Sequence, residues 1–186
     1  MAQLFSLGDM RMTQVIFIFC WAAAMFRCGS FKAHLPVSYR LQNALLSLFL
    51  IFSASYGVDL ILTAIFHPGI IQKYFYFQSG IFPPLATLAT MILVLCASVV
   101  ELVIGFDMAQ QKRKGRVLAL RIIPYLAAVT VLDVARIVSA RSITEPNRSN
   151  FILGAFLAIL LPVCFYVWLY CFCRSRQAEE LMTNVA

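Results

Sequence analysis

Five charged side chains interrupt the long apolar runs of this sequence, and they are its best candidates for chemistry. Three are acids, Asp59, Glu101 and Asp133, and two are bases, Arg121 and Arg136. Carboxylates in an apolar setting can relay protons or ions, or they can be neutralised by a neighbouring base. Because one charge at the centre of a bilayer costs about 3 kcal/mol on insertion scales, each of the five is expected to have a partner.

The spacing of these charges favours pairing. Asp133 and Arg136 are three residues apart and can meet on one helix face, where Asp59 is expected to join them. Glu101 and Arg121 fall at similar depths on helices joined by a short loop, which predicts an ion pair. Structural pairing is therefore the preferred interpretation. A proton or ion path through the three acids, or their use in acid–base catalysis, are the alternatives.

No other residue pattern predicts catalysis, a cofactor or a metal site. The chain has two histidines, His34 and His67, and the topology derived below separates them onto opposite membrane faces. Gly-rich phosphate loops and zinc-protease motifs are absent from the sequence. We therefore expect a protein that is not an enzyme and that uses no cofactor.

The sequence contains candidate positions for two kinds of covalent modification. Cys171 and Cys173 follow an apolar run on the predicted cytoplasmic side, where thiols are candidates for S-palmitoylation, and Cys28 is a weaker candidate. Unmodified thiols are the preferred interpretation of these cysteines, and acylation is the alternative. The Cys-x-Cys pair lacks the further ligands of a metal site. Asn147-Arg148-Ser149 is an N-glycosylation acceptor pattern.

The composition defines the elements that must position these residues. Of the 186 residues, 62% are hydrophobic and 12% charged, which excludes an ordinary soluble domain. Four apolar stretches are long enough to cross a bilayer. They predict an all-α, integral membrane four-helix transmembrane bundle that forms a single domain over residues 1–186. The predicted spans are 43–66, 82–106, 117–138 and 151–173, followed by a polar tail at 174–186.

Segment 13–27 is predicted separately. Its apolar part, 15–26, would form a helix of about 18 Å, whereas the hydrocarbon core is roughly 30 Å thick. The preferred interpretation is a short N-terminal helix that lies in the membrane interface. A short, tilted fifth span and a cleaved signal peptide, with Ala22-Ala23-Ala24 as the cleavage site, are the alternatives.

Charge asymmetry predicts the orientation. With four spans and both termini in the cytoplasm, ten Lys and Arg residues lie inside and three outside, which agrees with the positive-inside rule. The inside group is Arg11, Arg27, Lys32, Arg40, Lys112, Arg113, Lys114, Arg116, Arg174 and Arg176; the outside group is Lys73, Arg141 and Arg148. The net charge of +7 therefore indicates contact with an anionic lipid leaflet rather than with nucleic acid.

The third span reads Ile122-Ile123-Pro124-Tyr125 and later carries Asp133, and the fourth span ends in an aromatic, Cys-bearing segment. Over this C-terminal half the chain resembles the lysosomal-associated transmembrane proteins and the insect four-span proteins similar to them. The resemblance implies four spans, cytosolic termini, and a role in endolysosomal sorting or at cell junctions.

Small residues within the spans favour binding between helices. Ser53, Ser55 and Gly57 lie in the first span, and Gly154 and Ala158 in the fourth. The predicted function is a scaffold or adaptor that organises or sorts other membrane proteins, with self-association included, at the plasma membrane or in endosomes and lysosomes. The alternative is a small ion, proton or solute transporter or channel subunit that uses Asp59, Asp133 and Arg136. A lipid-modifying enzyme ranks last.

Overall fold

The computed structural model describes residues 7–29, 37–66, 84–142 and 148–182, and all regular secondary structure in these ranges is α-helical. Side chains at some helix ends, and at scattered positions within helices, lie outside the description. The helices are α1 (Leu7–Gly29), α2 (Val37–Phe66), α3 (Pro84–Ala109), α4 (Arg113–Ser142), α5 (Arg148–Arg174) and α6 (Arg176–Met182).

Helices cover the described part of each of the four predicted spans, and most of these helices extend beyond the apolar runs. α2 begins at Val37, directly after Pro36 in the sequence, and α4 takes in basic residues from Arg113 onward. The difference has a simple cause. An apolar run marks the part of a helix suited to lipid, whereas the backbone hydrogen-bond ladder continues into polar flanks until a capping or breaking signal stops it.

Within the part of the chain that the structure describes, three helices contain segments long and apolar enough to cross a membrane: Val37–Asp59, Ala86–Ala109 and Arg113–Arg136. A fourth candidate is the pair Ile159–Arg174 and Arg176–Met182, which is bent by 69° and counts only if the two pieces form one span. Three to four such segments indicate a membrane protein, which agrees with the sequence-based prediction at that level.

Helix α1 covers 23 residues and contains a shorter apolar part, Gln14–Phe26. A helix is therefore present where the interfacial segment was predicted, and it extends beyond residues 13–27 at both ends. The Trp21 indole nitrogen donates a 2.9 Å hydrogen bond to Ser47 Oγ on α2, and Ala24 is buried. Phe19 and Phe26 are 71% and 89% exposed, so much of the apolar surface of α1 is left uncovered.

The chain divides into two compact units. The first unit comprises Met1–Asp59, Ser98–Arg121 and Leu169–Ala186, and the second comprises Leu60–Ala97 and Ile122–Trp168. The division crosses four helices, so each of α2, α3, α4 and α5 contributes one segment to each unit. The units are therefore not consecutive domains along the sequence.

Close contact between α2 and α3 defines the core of the first unit. A Cβ at Gly105 would lie 2.7 Å from Ile51 Cγ1 and 3.2 Å from the Ser47 carbonyl oxygen, and a Cβ at Gly57 would overlap the Ser98 side chain. Small residues allow this approach, as the sequence of α2 predicts at Gly57. The most fully buried apolar side chains here include Leu46, Leu50, Ile51, Ile104, Met108 and Leu169.

The second unit is joined by hydroxyl groups as well as apolar contacts. Thr130 Oγ1 donates to the Leu126 carbonyl at 2.9 Å and lies 3.2 Å from the Tyr166 hydroxyl, which links α4 to α5. Thr90 Oγ1 bonds the Ala86 carbonyl within α3 at 2.8 Å. A hydroxyl bonded to its own helix carries no unpaired polar group into an apolar environment.

Candidate functional site

The connection between α3 and α4 is short and tightly hydrogen-bonded. The Gln111 amide donates to the Met108 carbonyl at 2.9 Å, and the Lys112 amide donates to the Asp107 carbonyl at 2.8 Å. Gln111 has a φ of 55°, in the left-handed region that closes many helix C-termini. Gln111 takes the place that glycine usually occupies in this motif, and the chain reverses within three residues.

Gly115 brings the first turn of α4 onto the last turns of α3. A Cβ at this position would lie 2.7 Å from Asp107 Cβ and 3.0 Å from the Met108 backbone nitrogen. Glycine is therefore required for the approach of the two helices.

Asn43 on α2 strengthens the same junction. Its side-chain amide donates a 2.8 Å hydrogen bond to the Met108 carbonyl, near the end of α3 where backbone carbonyls lack helical partners. The side chain is fully buried, and its Oδ1 atom has no hydrogen-bond partner among the described residues. A hydrogen bond in this setting fixes the end of α3 against α2.

A groove of about 570 Å³ lies along α3 and α4 beside this junction, and we call it the basic groove. Three of its side chains are cationic, one is acidic and three are aliphatic. The cations are Arg113, Lys114 and Arg121, the acid is Asp107, and the aliphatic residues, termed the apolar wall, are Val103, Val117 and Leu118.

The charges in the basic groove do not balance. Asp107 forms a 3.7 Å ion pair with Lys112, which lies outside the groove lining. Arg113, Lys114 and Arg121 are exposed, and none of the three has an ion pair within the ranges that the structure describes. The groove thus presents an excess of positive charge next to exposed aliphatic surface.

The predicted ion pair between Glu101 and Arg121 does not form, although both residues are described. Glu101 is 4% exposed and shares the buried face of α3 with Ile104, Gly105 and Met108. It makes a polar or electrostatic contact, but Arg121 faces the basic groove instead. Counting residues from the helix ends gave the depth of each charge but not its direction around the helix axis, which changes by about 100° per residue.

The second predicted pair is present. Arg136 and Asp133 are joined through Nη2 and Oδ1 at 2.6 Å, with a second bond from Arg136 Nε at 3.1 Å. Arg136 is 2% exposed, so the two charges neutralise each other in a buried position. Both belong to the second unit, whereas Asp59 belongs to the first, and its addition to this cluster stays a prediction.

Helix α6 was not predicted from the polar tail. Ser175 caps it, with the Ala178 amide donating to Ser175 Oγ at 3.2 Å. Arg116 connects α4 to this bend: its Nε donates to the Cys173 carbonyl at 2.8 Å, and its Nη1 lies 3.5 Å from Glu179 Oε1. The side chain of Arg116 therefore bridges the end of α5 and the start of α6.

One face of α6 is buried. Ala178, Leu181 and Met182 have at most 1% of their surface exposed, and Gln177 Nε2 donates a 2.9 Å hydrogen bond to the Tyr39 hydroxyl on α2. The signal in the sequence was a serine cap followed by apolar residues at helical spacing. The acidic pair Glu179 and Glu180 made the segment resemble a solvated tail, so the helix was missed.

The structure separates the two candidate acylation sites. Cys171 is exposed, whereas Cys173 is fully buried, so only Cys171 offers an accessible thiol. The side chain of Cys28 and all of Asn147 lie outside the described residues, as do His34 and His67. Among the residues that are described, no group of three His, Cys, Asp or Glu side chains could hold a metal ion.

Comparison with known proteins gives no family for this chain: no family model, curated protein or solved structure matches it. Its class is thus defined by its own geometry, as a helical protein with three to four segments long and apolar enough to span a membrane.

Proposed function

We propose that this chain is a multi-pass integral membrane protein that acts as a non-catalytic scaffold or adaptor, organising or sorting other membrane proteins. One observation carries the proposal. Gly154 on α5 lies in open space, where an added Cβ would meet no atom of the described residues within 4 Å. Around it, Phe156, Leu157 and Leu161 are 60%, 44% and 66% exposed.

An open glycine on an apolar helix favours a partner helix over lipid alone. Small residues spaced by four let two backbones approach closely, and Ala158 follows Gly154 at that spacing in the sequence. Lipid chains cover any apolar surface equally well, whereas only a helix gains packing contacts from a missing side chain. The expected partner is a transmembrane helix of another protein or of a second copy of this chain.

The surface left uncovered by the fold is large enough for such partners. Only 33% of the segment Ala86–Ala109 and 17% of the segment Arg113–Arg136 are buried by the chain itself. In addition, the 2.6 Å contact between Asp133 and Arg136 pairs two of the three residues that the transport alternative would use. Buried pairs of this kind favour a structural role over ion conduction.

The charge asymmetry supports an orientation with both termini and the α3–α4 connection in the cytoplasm. The resemblance to lysosomal-associated transmembrane proteins supports a place at the plasma membrane or in endosomes and lysosomes. Trafficking of bound membrane proteins between these compartments is the role that agrees with both.

Site-specific photocrosslinking tests the proposal. With a photoreactive amino acid in place of Phe156, we expect a crosslink to one membrane-protein partner at stoichiometric yield. Gly154→Leu fills the open position, so this crosslink should be lost while the fold is kept, because a Cβ there would meet no atom of the described residues within 4 Å. Ala128→Leu is the matched control, since it places the same side chain at an exposed position on α4.

A crosslink to lipid alone would contradict the scaffold role, as would equal loss of the protein crosslink in both variants. Flux measured in reconstituted liposomes tests the alternative. Proton or ion flux that Asp59→Asn abolishes would establish transport instead.

A further inference from the structure

We propose that the basic groove binds one anionic phospholipid. Its phosphate-bearing headgroup contacts the three groove cations, and a stretch of acyl chain covers the apolar wall. This goes beyond the scaffold role, and it rests on the membrane placement proposed above. Three features of the groove support this assignment: its unbalanced charge, the position of Arg121, and the order of polar and apolar residues along it.

The groove cations lack compensating charge. Asp107, the one acid in the lining, is already paired with Lys112 at 3.7 Å. The first turn of α4 contains no acidic residue, and two of the groove cations, Arg113 and Lys114, lie in that turn. Cations at a helix N-terminus oppose the helix dipole, so an external anion would relieve both the mutual repulsion and this unfavourable placement.

Arg121 is the cation that most needs a partner. It lies inside the apolar segment Arg113–Arg136, about 12 Å along the helix from Arg113, and its side chain is exposed. An arginine on the outer surface of a membrane span costs free energy unless it reaches an anion or water at the interface. Its long side chain can extend toward Arg113 and Lys114, where a lipid phosphate would meet all three.

The groove has the polarity of an amphiphile. Arg113, Lys114 and Asp107 lie next to the α3–α4 connection, and the apolar wall begins one turn further along each helix. Arg121 follows the wall on α4, and its long side chain can extend back along the groove to the headgroup. Val103 and Val117 are 47% and 36% exposed. Free phosphate or an acidic peptide would contact the cations alone, whereas one phospholipid would contact both the cations and these valines. A volume of about 570 Å³ also exceeds what one phosphate group needs.

Native mass spectrometry of the purified full chain tests the site, with phosphatidylserine and phosphatidylcholine as probes. We expect one retained phosphatidylserine, with phosphatidylcholine bound more weakly. A basic side chain near an anionic lipid surface contributes about fivefold in affinity. Arg121→Gln should therefore weaken phosphatidylserine binding about fivefold and the double variant Arg113→Gln/Arg121→Gln roughly 25-fold, with phosphatidylcholine binding unchanged.

Arg174→Gln is the matched control. It removes the same charge from an exposed arginine at the end of α5, outside the groove lining, and should leave phosphatidylserine binding unchanged. Equal loss in Arg174→Gln would show nonspecific surface attraction and overturn the proposal. Displacement of the lipid by inorganic phosphate would reveal an anion site without an acyl-chain component, and displacement by polyglutamate would reveal a protein-binding surface; either result overturns it.

Val117→Ser distinguishes the contribution of the acyl chain to binding from that of the headgroup. Binding of long-chain phosphatidylserine should weaken, and binding of soluble glycerophosphoserine should not change. Alkaline extraction of cell membranes tests insertion of the chain into the bilayer, independently of lipid binding. A chain that resists extraction but shows no preference for phosphatidylserine refutes the lipid site alone, whereas a chain released by alkali refutes the membrane placement and with it both proposals.

Discussion

At the scale of single residues, Gly115 shows how one missing side chain decides the contact between two helices. Because the nearest atoms to an added Cβ are Asp107 Cβ at 2.7 Å and backbone atoms, none of them can move away as a flexible side-chain end could. Gly115→Ala must therefore separate α4 from α3. Overpacking costs about 1–3 kcal/mol, which exceeds the gain in helix propensity of up to about 1 kcal/mol.

We expect Gly115→Ala to lower the free energy of unfolding by about 1–2 kcal/mol, measured by circular dichroism during SDS titration of detergent micelles. Gly154→Ala is the control, because that position is open and the substitution retains only the favourable helix propensity. It should raise stability by roughly 0.5–1 kcal/mol. Stability gains of equal size in both variants would show that α4 does not approach α3 as described.

At the scale of helices, Arg116 links α4 to the bend between α5 and α6. The hydrogen bond from Arg116 Nε satisfies the Cys173 carbonyl at the end of α5, where helical partners are missing. Its ion pair with Glu179 adds less, because the Glu179 side chain is 55% exposed and screened by solvent. Hydrogen bonds from a charged donor contribute about 1.5–3 kcal/mol, so this one bond is the main polar link between α4 and the bend.

Arg116→Leu should therefore accelerate amide hydrogen exchange in α6 by about tenfold or more, while exchange in the middle of α3 is unchanged. Arg176→Leu provides the comparison. Arg176 pairs with Glu180 within α6, but its side chain is 90% exposed, and an exposed pair of this kind contributes little. Similar acceleration in both variants would mean that α6 is held by its buried apolar face alone.

Helix-scale features differed in how far the sequence could predict them. The four long helices follow from apolar runs, because burial and the local hydrogen-bond ladder act within one segment. The Asp133–Arg136 pair was predictable for the same reason, since both residues lie on α4. The Glu101–Arg121 prediction was wrong because it required the rotational positions of two helices, which depend on packing.

The basic groove is a further case in which contacts between helices decide the result. The basic cluster of α4 was evident in the sequence, but its apposition to Asp107 and Val103 depends on the close approach at Gly115. The residue spacing did contain a signal: Lys114, Leu118 and Arg121 repeat at helical intervals, as do Val103 and Asp107. Nothing in the spacing alone showed that the two faces meet.

At the scale of the whole molecule, the distribution of basic residues predicts the orientation in the membrane. Ten Lys and Arg residues against three favour placing the α3–α4 connection in the cytoplasm. Lys114 is exposed and has no ion pair within the described ranges, so it can report the side without breaking an ion pair of the fold. In a cysteine-free background, Lys114→Cys should react with a membrane-impermeant maleimide only after cells are permeabilised.

Lys73→Cys gives the opposite expectation, since residue 73 falls between the first two predicted spans on the other side. It should be labelled in intact cells. Labelling of Lys114→Cys in intact cells would show that the orientation is the opposite one. It would also show that the basic groove does not face the anionic leaflet on which the lipid proposal depends. Labelling of both positions in intact cells would mean that α3 does not cross the membrane, despite the mean hydropathy of 2.4 in its segment Ala86–Ala109.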